Sequence, residues 1–108
     1  MDLISLEELD LSGNFISSFG SNLLPSLKRI NLANNKLETA ELAGLLNLRY
    51  VHLSYNQLKA IPRFSDGSHI KVLSLEHNHI ETIPSTVSLL HNLSVFNLSH
   101  NSIIILPK

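Results

Sequence analysis

Six histidines and two tyrosines are the side chains of this 108-residue sequence with the most chemistry to offer. His77 and His79 flank Asn78, Glu76 sits directly before them, and His52 and His100 lie 25 and 23 residues to either side of His77. Histidine with glutamate is the ligand chemistry of zinc, but a zinc site needs three or four donors converging on one point. The nearby count stops at three imidazoles and one carboxylate, so no metal is expected. With no Cys in the chain, thiolate ligands and a disulfide framework are both excluded. Catalytic signatures are missing too: there is no Gly-rich phosphate loop, no G-x-S-x-G and no H-E-x-x-H. The reading is therefore of a non-enzyme without a cofactor, whose His and Tyr side chains make contacts. Tyrosine suits that role, because it pairs a large apolar area with a polar tip.

What positions these residues is a repeat. The composition points to it, with 22 Leu and 11 Asn among 108 residues and hydrophobic residues at 44%, far above the range of disordered chains. Aligning on Asn gives Leu6-x-x-Leu9-x-Leu11-x-x-Asn14-x-Ile16, then Leu27-x-x-Ile30-x-Leu32-x-x-Asn35-x-Leu37, and Leu48-x-x-Val51-x-Leu53-x-x-Asn56-x-Leu58. Two more copies follow, Ile70-x-x-Leu73-x-Leu75-x-x-Asn78-x-Ile80 and Leu93-x-x-Phe96-x-Leu98-x-x-Asn101-x-Ile103. The Asn residues step by 21, 21, 22 and 23. Further apolar columns run through Leu3, Leu24, Leu45 and Leu90, interrupted at Gly67, and through Phe19, Ala40, Ile61, Ile83 and Leu106. Each apolar-x-apolar triplet has the period-2 alternation of a strand with one face buried. A single such unit buries nothing, so the units must stack.

The pattern L-x-x-L-x-L-x-x-N-x-L, five times in register, resembles the leucine-rich repeat. The resemblance implies an α/β solenoid, a right-handed horseshoe with a concave parallel sheet and an irregular or short-helical convex side. It divides the chain as one domain of five repeats, about 3–23, 24–44, 45–66, 67–89 and 90–108. On the convex side, 40–45 and 85–90 are predicted to make helical turns and 63–68 an irregular one. Asn14, Asn35, Asn56, Asn78 and Asn101 are predicted to form a structural ladder, since a buried amide must bond the backbone that has left the sheet.

Function then falls to the positions the repeat leaves free. Down the stack, the first variable column reads Glu8, Arg29, Tyr50, Val72, Val95, and the next Asp10, Asn31, His52, Ser74, Asn97. Two more follow: Ser12, Ala33, Ser54, Glu76, Ser99, and Gly13, Asn34, Tyr55, His77, His100. Glu7 beside Lys28 and Glu8 beside Arg29 read as cross-strand surface pairs. The expected partner-binding set on the concave face is Arg29, Tyr50, His52, Tyr55, Glu76, His77 and His100, with Tyr50, His52, Tyr55 and His77 as its anchor cluster. The leucine-rich-repeat resemblance implies a protein partner on the concave sheet, and an open sheet face encloses no dry pocket in which a nucleophile or base could be tuned. A net charge of −1 argues against nucleic acid, and no apolar run reaches the roughly 18 residues of a membrane span.

Terminal repeats need polar covers, and Leu93, Phe96, Leu98 and 103–105 have none following them. The segment is therefore expected to continue into a longer array, or to self-associate at its ends. Residues 47–53, 60–62 and 68–78 resemble early ectodomain repeats of the leucine-rich-repeat and immunoglobulin-like transmembrane proteins. That resemblance implies a cell-surface parent contacting receptors, and the sequons at Asn92 and Asn97 fit it. The alternative is a cytoplasmic leucine-rich-repeat scaffold or a structural spacer.

Overall fold

The computed structural model describes residues 5–20, 24–64 and 69–104. The expectations placed on Leu3, Gly67 and Leu106 lie outside these residues. Among the described residues there are seven strands of three residues each: β1 Glu8–Asp10, β2 Ser18–Gly20, β3 Arg29–Asn31, β4 Thr39–Glu41, β5 Tyr50–His52, β6 Val72–Ser74 and β7 Val95–Asn97. One strand from each repeat joins a five-stranded parallel sheet in the order β1-β3-β5-β6-β7. Its register keeps the repeat columns together: Glu8, Arg29, Tyr50, Val72 and Val95 pair in sequence, as do Asp10, Asn31, His52, Ser74 and Asn97. Neighbouring column members are therefore about 4.8 Å apart, one strand spacing.

The middle residue of each strand in this sheet points inward. Ile30, Val51 and Leu73 are fully buried, and Leu27, Leu32, Leu37, Leu48, Leu53, Leu58, Ile70, Leu75 and Ile80 complete a continuous core between stacked repeats. Leu6, Leu9, Leu11 and Ile16 in the first repeat, and Leu93, Phe96, Leu98 and Ile103 in the fifth, pack against that core while partly buried.

The strands are short because the chain turns sharply just beyond them. Gly13, Asn34, Tyr55, His77 and His100 all take left-handed backbone, with φ between 57° and 71°. In three repeats the last strand residue folds the turn, its carboxylate or amide oxygen accepting the N–H two residues on: Ser12 N to Asp10, Ala33 N to Asn31 and Ser99 N to Asn97, each at 3.0 Å. The Asn that follows then ties two repeats together. Asn56 Nδ2 donates to Leu53 O of its own repeat and to Leu32 O of the preceding one, both at 3.0 Å, while its Oδ1 accepts Leu37 N–H at 3.0 Å. Asn35 and Asn78 repeat the same set of contacts, and all three are buried. Asn101 does likewise toward Leu75 and Ile80, half-buried. Asn14 is exposed and bonds Leu11 O and Ser12 O.

The convex side corrects one expectation. Residues 40 and 41 are extended, in β4, which pairs in parallel with β2, so a turn is confined to 42–45. Lys36 N and Glu38 N donate to Ile16 O and Ser17 O, which lays the second return flat along the first, so tertiary pairing overrides local helix propensity. Gly20 permits this approach, since a Cβ there would stand 3.1 Å from Glu41 Cβ. Two tight turns follow, with Leu45 N bonding Leu42 O and Leu48 N bonding Leu45 O. In the third repeat Pro62 occupies the corresponding return and has no N–H to donate, and no strand forms. In the fourth, Pro84 leads into a 3-10 turn at Ser85–Leu89. Arg63 and Phe64 are irregular, and 65–68 lie outside the described residues.

Candidate functional site

Column by column, the concave side resolves into three groups of side chains. At the start of the strands, Lys28 Nζ lies 3.2 Å from Glu7 Oε1 and Arg29 Nε 3.2 Å from Glu8 Oε1. The Arg29 guanidinium also lies over Tyr50, 4.6 Å from the ring centroid. These pairs are largely exposed, so the ionic part stabilises the fold by no more than about 1 kcal/mol. Their structural effect is to fix an extended Arg29 across the Tyr50 ring.

At the centre sit the last strand residues. His52 is half-buried between Asn31 and Ser74 in the register. Asp10 is held below the usual carboxylate range, chiefly by the Ser12 hydroxyl donating to it at 2.7 Å and then by the Ser12 N–H, with a smaller contribution from the His52 side. Glu76, one repeat beyond, accepts from Asn97 Nδ2 at 3.1 Å through Oε2. Its Oε1 is buried with no hydrogen-bond partner.

Past the strand ends, the left-handed turn column forms a stack of rings. Tyr55 and His77 lie face to face with centroids 4.2 Å apart and planes 9° from parallel, and His77 and His100 repeat this at 4.2 Å and 10°. The anchor cluster read from the sequence is thus divided. Tyr55 and His77 lie on the rim with His100, Tyr50 belongs with Arg29 at the other end of the strand, and His52 lies between them. Residues in the turn column are not strand-facing at all; they stand on the bend that follows.

The ring stack also bears on metal chemistry. Imidazole lone pairs lie in the ring plane, so rings stacked nearly parallel aim them side by side instead of at one centre. Among the described residues no group of three or more His, Asp or Glu side chains is placed to share an ion. Of the two sequons, Asn92 is exposed in the turn before β7, whereas the Asn97 amide is held by Glu76 and by Ser99 N on the concave face.

Two features escaped the sequence reading. One is the Glu76–Asn97 bond, which joins residues 21 apart. The other is the left-handed backbone of the turn column, for which a signal existed: Gly, Asn and His recur immediately before the ladder Asn, and these types tolerate positive φ best.

Comparison with known proteins agrees with this architecture. The family model for the leucine rich repeat matches residues 47–103, and a two-copy leucine-rich-repeat model matches residues 4–45. The chain is 36% identical over 105 residues to lumican of Mus musculus, covering 92% of this chain and 31% of that protein. It is 36% identical over 106 residues to MAP kinase phosphatase with leucine-rich repeats protein 1 of Dictyostelium discoideum, covering 91% of this chain and 13% of that protein. Leucine-rich repeats and immunoglobulin-like domains protein 1 of Homo sapiens is 33% identical over 102 residues, covering 90% of this chain and 9% of that protein. The chain thus spans less than a third of each of these three relatives.

Proposed function

The chain belongs to the leucine-rich-repeat family, and from that premise we propose that it is a non-catalytic protein-binding module whose concave side makes the contact through Arg29, Tyr50, His52, Tyr55, Glu76, His77 and His100. The observation that carries this reading is the ring stack. Three large, solvent-facing rings stand at successive positions of one column, each on left-handed backbone that Tyr seldom adopts. A framework under them, the sheet register and the Asn ladder, fixes their spacing before any partner arrives, which lowers the ordering cost of binding. Arg29 laid over Tyr50 offers a second aromatic contact at the far end of the strands. These side chains lie along an open face and its rim, half-buried to exposed, without the water-excluded enclosure that tunes a nucleophile or a base.

Site-specific photo-crosslinking tests this reading. A benzophenone side chain placed at Ser54, on the concave side, is expected to capture a discrete protein, and one at Glu41, on the convex β4, is not. The combined substitution Tyr50→Ala, His52→Ala, Tyr55→Ala should abolish the Ser54 product while leaving the circular dichroism spectrum unchanged. Capture from Glu41 alone, or a Ser54 product indifferent to the triple substitution, would overturn the proposal.

A further inference from the structure

The ring stack has one open end, and we infer that this end is a slot for an aromatic side chain of the partner, flanked on the partner by a carboxylate. The inference rests on the concave-side reading above and specifies the chemistry of what is recognised at its rim.

The turn column changes character at Tyr55. His77 covers one face of the Tyr55 ring at 4.2 Å, and His100 continues the stack beyond it. In the opposite direction the next two members are Asn34 and Gly13, a short side chain and none. The backbone there is the same left-handed turn, with φ of 57° and 71°, so the column goes on while its rings stop. A Cβ placed on Gly13 would meet nothing within 4 Å. The result is a depression of about 330 Å³ whose lining includes Gly13, Phe15, Asn34, Lys36 and Tyr55.

Each wall of this depression favours a planar ring with a negative neighbour. Among the described residues Tyr55 stacks against one ring, His77, and it is 52% exposed where it lines the depression. Phe15 is 86% exposed, unusual for a Phe with a buried core nearby, and it stands beside the slot able to fold over an incoming ring. Lys36 supplies a positive charge and, among the described residues, has no ion pair of its own; the two that form belong to Lys28 and Arg29. An aromatic residue of the partner would occupy the next 4.2 Å step of the existing stack, and a carboxylate beside it would reach the Lys36 ammonium.

Titration of the isotopically labelled chain with acetylated, amidated tetrapeptides, read by amide shifts, tests the slot. Gly-Trp-Asp-Gly should move the amides of Gly13, Asn34, Lys36 and Tyr55. Gly-Leu-Asp-Gly should not, and Gly-Trp-Lys-Gly should bind roughly two- to fivefold more weakly, the range of an exposed ion pair. Two substitutions tolerated by left-handed backbone keep the fold intact. Tyr55→Asn removes the stacking face and should weaken binding by about two- to tenfold. Asn34→His extends the protein's own stack into the slot and should abolish the response. Equal shifts with the Leu peptide, an unaffected Asn34→His variant, or a stronger response to N-acetylglucosamine than to the Trp peptide would overturn the inference. Shifts confined to Tyr50, His52 and Glu76 would overturn the slot and leave the concave-side reading standing, whereas shifts confined to the convex side would overturn both.

Discussion

Replacing Asn56 by Ala removes a buried amide whose every bond is resolved. Nδ2 gives up Leu32 O and Leu53 O at 3.0 Å and Ser54 O at 3.2 Å, the last of which still accepts Asn34 N–H, and Oδ1 gives up Leu37 N–H at 3.0 Å. The losses are unequal. Leu32 O still accepts Asn35 Nδ2, and Leu53 O still accepts Asn78 Nδ2, so both carbonyls keep a partner. Leu37 N–H has no second acceptor and lies in the core beside a fully buried side chain. One orphaned buried donor is worth about 1–3 kcal/mol, and the loss falls between repeats two and three, where it loosens stacking. The expected destabilisation is thus about 1–3 kcal/mol, measured by urea unfolding followed by far-ultraviolet circular dichroism, with a fall in melting temperature of roughly 4–8 °C for each kcal/mol. Asn47 provides the control. Its Nδ2 also bonds backbone of another repeat, Pro25 O at 2.7 Å, but it is exposed, so water replaces the bond and Asn47→Ala should change stability by less than about 0.5 kcal/mol. Equal effects of the two substitutions would refute the argument that orphaning, and not bond count, sets the magnitude. A surviving full effect in an Asn56 variant that still accepts from Leu37 N–H would refute it too.

Other substitutions probe different parts of the scaffold. Leu53→Ala empties a fully buried site between stacked repeats and should cost about 2–5 kcal/mol in the same unfolding assay. Gly13→Val should cost about 1–2 kcal/mol although its Cβ would stand in open space, because φ is 71°, while Gly13→Asn should be close to neutral. Ser12→Ala should raise the Asp10 carboxyl back toward 3.8, as read by carbon-13 titration, since the Ser12 hydroxyl is the first cause of its depression. The sign for stability follows: a depressed carboxyl favours the fold above its ordinary value of 3.8 and loses that contribution as pH falls through the lower folded value, so the Ser12→Ala effect should vanish in strong acid.

Much of the architecture is legible in the chain because the repeat states it five times. The triplets Leu9-Asp10-Leu11 and Leu73-Ser74-Leu75 assign which side chains enter the core and which face out, and the sheet register keeps those columns. The Glu7–Lys28 and Glu8–Arg29 pairs are equally readable, since one repeat length separates each pair. The convex side is less so. Residues 40–45 have helix-forming composition, and nothing local reveals that Ile16 O and Ser17 O will accept their neighbours' N–H groups and hold β4 extended.

The same division holds for the candidate site. Sequence by itself determined the columns, because a fixed repeat length places residue i beside residue i plus 21 to 23 whatever their types. Orientation within a column depends on the sign of φ and on contacts between repeats, neither of which a residue list contains. Tertiary structure therefore decided that Tyr55, His77 and His100 turn face to face at 4.2 Å while Tyr50 lies under Arg29. It also decided that Glu76 spends one oxygen on Asn97 and buries the other unpaired. The physical reason is one of range: periodicity is a local, additive property of the chain, whereas stacking and hydrogen-bond satisfaction are settled among side chains brought together across repeats.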